Sequence, residues 1–300
     1  PARPEGALQR HQSPSCPLQP RLVAGIGGPA PRLGCIMSDG DQPALTEQQQ
    51  AVYDRQIRIW GVEAQKLLST SRVLVVGCTG LAAELCKNIT LAGLGGLTIV
   101  DDTIATQTYS GNFLVSQDIR AVESGKSVGA IMAEALREMN PMVQIEHVQG
   151  TAASLQASSL AKYAAVVLAR SSFAEQQRVN SICREAGVAF YAMESRGSFS
   201  YCVVDLGKHE YTVQVKQDEA KGEEGPARTE TKTVNFAPLS AVLTAPWAQF
   251  PKRTHHGIYL LQTVAEAEAN AKGDPSLKDL IAARDARADK EGAQGEAVLP

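Results

Sequence analysis

The chain has 300 residues, 44% hydrophobic and 20% charged, with 29 basic against 32 acidic side chains and a net charge of −3. That length suits one large or two ordinary domains, and the slightly acidic balance argues against a primary role on nucleic acid or an anionic membrane surface. No apolar run approaches the roughly 20 residues of a membrane-spanning helix, and the six cysteines include no C-x-x-C pair, which argues against a zinc ribbon or thioredoxin-type site. Their scatter predicts reduced, buried thiols.

In residues 1–36 proline and arginine recur without helical or strand period. This stretch is expected to be disordered, or a leader ahead of a start at Met37. A transit peptide competes, because Glu5 is the sole acid there. Residues 37–71 form a helical lead-in. Thr46-Glu47-Gln48-Gln49 is a capping-box pattern, and the helix it opens is expected to continue to Gly61. Val52, Gln56 and Ile59 share one face, Arg55 and Arg58 another. A short helix from Val62 to Leu68 follows.

From Arg72 to Asp102 the pattern is strand–helix–strand. Val73–Val76 has the composition of a buried parallel strand. Gly77 and Gly80 break it, and Leu81, Leu85, Ile89 and Ala92 then repeat at the spacing of a helix face. Gly93, Gly95 and Gly96 end that helix, and Leu97–Val100 is a second strand closing on Asp101. This is the first half of a nucleotide-binding α/β domain. The turn Gly77-Cys78-Thr79-Gly80-Leu81-Ala82 is incomplete, since β-branched Thr79 stands where a phosphate would come closest. Asp101 occupies the place of a ribose-binding acid, or it caps the next loop. These residues alone leave open a core that binds no nucleotide and an NAD-dependent oxidoreductase using Gly77 and Asp101.

Downstream, helices are predicted at 125–139, 151–162 and around Arg178–Cys183, with strands at 143–148, 164–169 and 188–193. Phe199–Leu206 and His209–Val215 flank Gly207-Lys208, which is expected to be a two-residue hairpin turn. The fold class is therefore α/β: a Rossmann-like, mostly parallel sheet with helices on both faces, plus an antiparallel hairpin extension. Residues 216–231 form a flexible charged loop. A strand at 231–236 follows, then a helix at 239–243 and another carrying Ile258, Leu260, Leu261 and Val264. This domain spans 72–265. Residues 266–300 are a charged helical segment with Leu277, Leu280 and Ile281 as its apolar face. His255-His256 has no further ligand at metal spacing. Cys78 and Cys183 show no activating base and are expected to be structural.

The nine residues Tyr53-Asp54-Arg55-Gln56-Ile57-Arg58-Ile59-Trp60-Gly61, just ahead of the first strand, closely resemble a motif of the ubiquitin-like-protein activating enzymes, which share a ThiF/MoeB-like adenylation fold. The resemblance continues at Ala64-Gln65, Leu91-Ala92-Gly93, Leu97-Thr98, Met139-Asn140-Pro141 and Asp205–Glu210, and covers roughly residues 46–265. It implies that 72–265 is one of two paired adenylation domains, of which one binds ATP. Besides the incomplete glycine turn, three departures mark this chain as the inactive one. Asn112 is followed by Phe113 where the family has arginine. Gly125-Lys126-Ser127-Val128 keeps one lysine of two. Arg170-Ser171-Ser172 stands where an aspartate would hold magnesium, a cation that needs hard oxygen ligands.

The resemblance thus implies a vestigial nucleotide site at Gly77, Gly80 and Asp101, no complete active site and no cofactor held in cis, with ATP and magnesium on the partner. Arg55 is implied to act in trans on the partner's ATP phosphates, a task suited to a permanently charged guanidinium. Arg58 is expected to pair with Glu63. The short stretch between Phe236 and Gly257 excludes the insertion of the neddylation enzyme's regulatory subunit. With Lys252-Arg253-Thr254 ahead of Tyr259-Leu260-Leu261-Gln262, the chain resembles the smaller subunit of the SUMO-activating enzymes. A regulatory subunit of another such enzyme is the alternative. The implied partners are the larger catalytic subunit, in a heterodimer, and SUMO, with no nucleic acid or membrane, and the implied location is the nucleus. Relatives continue with a glycine-containing helix, so the chain is expected to be incomplete at Pro300.

Overall fold

A computed structural model describes residues 44–106, 111–116, 125–215, 228–251, 253–271 and 274–291. The expectations for 1–36, for 216–227 of the charged loop and for Lys252 lie outside the described residues. Thr46 closes its capping box with Gln49 and starts α1 (Glu47–Val52). The expected continuous helix breaks at Tyr53 and resumes as α2 (Asp54–Trp60). At φ −97° and ψ 12°, Tyr53 leaves helical geometry, and its ring is only 2% exposed. The face assigned from periodicity lies open instead, with Ile59 81% exposed. Arg58 pairs with Asp54 at 2.9 Å, and Glu63 pairs with Lys66 of α3 (Val62–Thr70), so the expected Arg58–Glu63 pair does not form.

The core then follows in chain order as β1 (Arg72–Val76), α4 (Gly80–Leu91), β2 (Gly96–Val100), α5 (Phe113–Ser116), α6 (Val128–Met139) and β3 (Gln144–Val148). After a 3-10 turn at Ala152–Ser154 come α7 (Ala157–Leu160), β4 (Ala165–Ala169), α8 (Phe173–Ala186), β5 (Ala189–Arg196) and β6 (Phe199–Asp205). The sheet order is β3-β2-β1-β4-β5-β6, parallel except for β6. Strand alternation sends Val75 to one face, with Cys86, Leu97 and Met132, and Leu74 and Val76 to the other, with Leu160, Val179 and Phe190. Both faces are thereby covered by helices. α4 buries Ala82, Ala83, Cys86 and Thr90 rather than the expected leucine face. Its small side chains meet the sheet, and Leu85 and Ile89 pack at the margins.

The hairpin is displaced from its expected place. β5 and β6 form it around Gly197-Ser198, closed by the Arg196–Phe199 pair. Asp205 then draws the chain off the sheet, accepting hydrogen bonds from Asn180 (2.7 Å), Arg184 (2.8 Å) and the Gly207 N–H (2.9 Å). β7 (Lys208–Val215) consequently pairs with β8 (Arg228–Asn235) in a separate two-stranded antiparallel sheet. After α9 (Leu239–Thr244), His255 caps α10 (His256–Asn270), which buries Tyr259, Gln262, Thr263 and Ala267 and leaves Leu260 exposed. On α11 (Leu277–Glu291) the expected apolar face is largely open, Leu277 being 74% and Ile281 42% exposed and only Leu280 partly buried. Arg287, 5% exposed, anchors that helix instead. It donates to Gln262 Oε1 (3.0 Å) and the Ala245 carbonyl (3.2 Å), and it stacks on Trp247 at 5.7 Å. Among the described residues no His, Cys, Asp or Glu cluster suits a metal, and no helix is long and apolar enough to cross a membrane.

Candidate functional site

The strand order reverses beside β1, where an open α/β sheet carries its ligand crevice. A cleft of about 180 Å³ lies there, lined by Gly77, Cys78, Thr79, Asp101, Thr151 and Arg170 among others. It is smaller than the roughly 300–1,000 Å³ of common ligand pockets. Gly77, at φ +87°, is held against β4: a Cβ would stand 2.0 Å from the Ala169 carbonyl oxygen. A Cβ on Gly80 would stand 2.0 Å from the Gly111 carbonyl oxygen. Both glycines let chain approach chain.

The turn's polar groups are likewise used internally. Asp101, 7% exposed, accepts from the Cys78 N–H at 3.1 Å and the Thr103 N–H at 2.9 Å. Thr79 accepts from the Ala82 N–H at 3.2 Å and so caps α4, a role its type and place ahead of a helical run signalled. Asn112 is buried, donating to the Cys78 carbonyl at 3.1 Å and accepting from the Leu114 N–H. Lys126 is paired with Glu134 at 2.9 Å. Arg170, exposed and at φ 65°, puts a cation where the resemblance called for a magnesium-binding carboxylate.

The thiols are the reverse of activated. Burial first, then the nearby Asp101 charge, pushes Cys78 far above its ordinary value. Burial raises Cys86 and Cys183 to about 12, whereas a nucleophilic cysteine is lowered. Cys202 is exposed, against the expectation of general burial. Cys16 and Cys35 lie outside the described residues.

A second constellation holds the lead-in helices. Between Thr46 and Ala64 only Tyr53 is buried. Its ring lies on Gly93, whose φ is +87° and whose Cβ would fall 2.5 Å from that ring. Its hydroxyl accepts from Asn140 Nδ2 at 2.8 Å, and Asn140 Nδ2 also donates to the Thr90 carbonyl. Nearby, Trp60 Nε1 donates to Gln65 Oε1 at 3.0 Å, and buried Gln65 donates to the Ala92 carbonyl. Residues scattered along the sequence thus meet at the C-terminal end of α4. The sequence pattern gave Gly93 the end of the helix and Ala92 a place on its face, but gave Tyr53, Trp60, Gln65 and Asn140 no structural task. Arg55, two residues beyond Tyr53, is exposed and meets no acidic side chain among the described residues. The twelve residues of α4 span about 18 Å, so this mooring and the cleft lie at opposite ends of one helix.

These features define a doubly wound α/β domain whose first glycine turn is held by hydrogen bonds and close contacts within the chain. The sequence profile of the ThiF family matches residues 53–248, and the chain belongs to that family. It is similar to SUMO-activating enzyme subunit 1B-1 of Arabidopsis thaliana, at 38% identity over 248 residues, 81% of this chain and 73% of that one. It is similar also to SUMO-activating enzyme subunit 1 of Homo sapiens, at 33% identity over 253 residues, 77% of this chain and 72% of that one. Among solved structures, E. coli tRNA N6-threonylcarbamoyladenosine dehydratase TcdA in complex with ATP matches at 17% identity and a TM-score of 0.45, over 56% of this chain and 68% of that one.

Proposed function

We propose that this chain is the smaller, non-catalytic subunit of a heterodimeric SUMO-activating enzyme. The larger subunit holds ATP and magnesium, adenylates the SUMO C-terminal carboxylate with release of pyrophosphate, and takes the acyl group onto its own cysteine as a thioester with release of AMP. This chain holds no nucleotide and supplies Arg55 across the interface, toward the ATP phosphates. Nuclear residence follows from the same resemblance.

One observation carries the reading. Arg55 is moored at the end of α4 remote from the chain's own cleft, where it is exposed and unmatched by a carboxylate among the described residues. An arginine so placed serves another molecule better than its own turn. Exposed Ile59, Trp60, Val62 and Leu67 on the same segment give a partner apolar surface to cover. The nicotinamide alternative draws on Gly77 and Asp101, and both are engaged within the chain.

ATP–pyrophosphate exchange with SUMO present tests this, using the chain alone and then mixed with a SUMO-activating large subunit. Exchange is expected in the mixture and not from this chain alone. Arg55→Ala is expected to lower the mixture's rate about 10–100-fold. Exchange by the chain alone would overturn the assignment. Activity only with the large subunit of another ubiquitin-like-protein activating enzyme would move the chain to that system.

A further inference from the structure

We propose that Tyr53 is a positioning residue for Arg55, with its hydroxyl bond to Asn140 setting where the guanidinium is presented. This rests on the trans-acting role of Arg55 given above.

α1 and α2 contain no fully buried residue, and only Gln49, Gln56 and Ile57 are partly covered, so little packing fixes their direction besides buried Leu45 ahead of α1 and Tyr53 between them. The segment is tied down at Tyr53, at the Trp60–Gln65 bond and at a long 3.4 Å contact from Gln56 to the Leu91 carbonyl. Gln56 adjoins Arg55 but is only partly buried and makes the longest of these contacts; Tyr53 is the fully buried tie closest to it. Its ring lies in a slot that exists because residue 93 has no Cβ. The hydroxyl, held by Asn140, stops the ring sliding along that slot. Arg55 is a long side chain two residues away, so a small shift at Tyr53 becomes a large one at the guanidinium. Catalytic geometry is unforgiving at that scale, since a 1 Å misplacement can cost about 10²-fold.

Tyr53→Phe removes this one bond, keeps the ring and leaves Asn140 its acceptor at Thr90. The test is a double-mutant cycle of wild type, Tyr53→Phe, Arg55→Ala and the double variant. Each is assembled with a saturating SUMO-activating large subunit and followed by pyrophosphate exchange. Tyr53→Phe is expected to lower kcat about fivefold, the worth of one hydrogen bond, with KM for SUMO and the melting temperature nearly unchanged. In the Arg55→Ala background the same change is expected to do nothing further. If Tyr53→Phe leaves kcat intact while Arg55→Ala lowers it, the positioning role is wrong and the trans arginine stands. Equal losses in both backgrounds show Tyr53 acting independently of Arg55 and overturn the proposal. An inert Arg55→Ala removes the trans arginine and this inference with it.

Discussion

Gly77→Ala separates a glycine kept for the chain's own packing from one kept for a ligand. The new Cβ would lie 2.0 Å from the Ala169 oxygen, where ordinary contacts begin at 3.4 Å, so the ends of β1 and β4 must part by more than an ångström. Holding a non-glycine residue at φ +87° costs about 1–2 kcal/mol, and overpacking adds about 1–3 kcal/mol. The sum, about 3 kcal/mol, lowers the melting temperature of a domain this size by about 6–12 °C. Gly197→Ala is the control: φ there is +60° with nothing within 4 Å. It carries only the conformational cost, about 1 kcal/mol. Thermal and urea unfolding followed by circular dichroism read both variants. A Gly77→Ala protein that melts no lower than Gly197→Ala would refute the packing argument and return Gly77 to a ligand's service.

Other expectations concern the anchors and the thiols. Asp205→Ala removes the acceptor shared by Asn180, Arg184 and the Gly207 amide; urea titration should show a loss of about 3 kcal/mol, the low end for a broken buried pair because Arg184 is partly exposed. Arg287→Ala should loosen α11 selectively, raising its hydrogen exchange while sheet amides keep their protection, at a cost of about 2 kcal/mol. Cys86 and Cys183, raised from 9.0 to about 12, stay protonated in the fold while their unfolded counterparts ionise. The unfolded state then binds fewer protons, so stability is fully present below pH 9 and falls toward pH 12 by about 1 kcal/mol per pH unit for each thiol. Denaturant midpoints across that range test the slope. Among the four thiols of the described residues, Cys202 should react first with an aromatic disulfide reagent at neutral pH.

What the sequence disclosed was whatever local pattern controls. The apolar run at Val73–Val76, the helix period after Gly80 and the capping box at Thr46 place the first β-α-β unit and its lead-in. The departures at Asn112, Lys126 and Arg170 were visible as residue types. The partner of Asn112 was not, because Cys78 is brought to it from 34 residues away by the fold. The break at Tyr53 escaped periodicity because its cause, the bare backbone at Gly93, lies in another helix's terminus. The Gly207-Lys208 hairpin failed for a similar reason: two donors elsewhere in the fold, Asn180 and Arg184, hold Asp205 and turn the strand away. α11 shows the limit of apolar patterning, since an arginine supplies the anchor that leucines were expected to give.

The Tyr53–Asn140 bond joins residues 87 apart in sequence. Closing so long a loop yields nothing until Gly93 and Asn140 have been brought together by the folding of α4, α6 and the strands between them. α1 and α2 therefore join an already assembled domain and leave it first when the protein opens. Changes confined to this segment fall on the unfolding rate and leave the folding rate nearly untouched. The surface that carries Arg55 is thus expected to take shape only after the sheet and the helices beneath it.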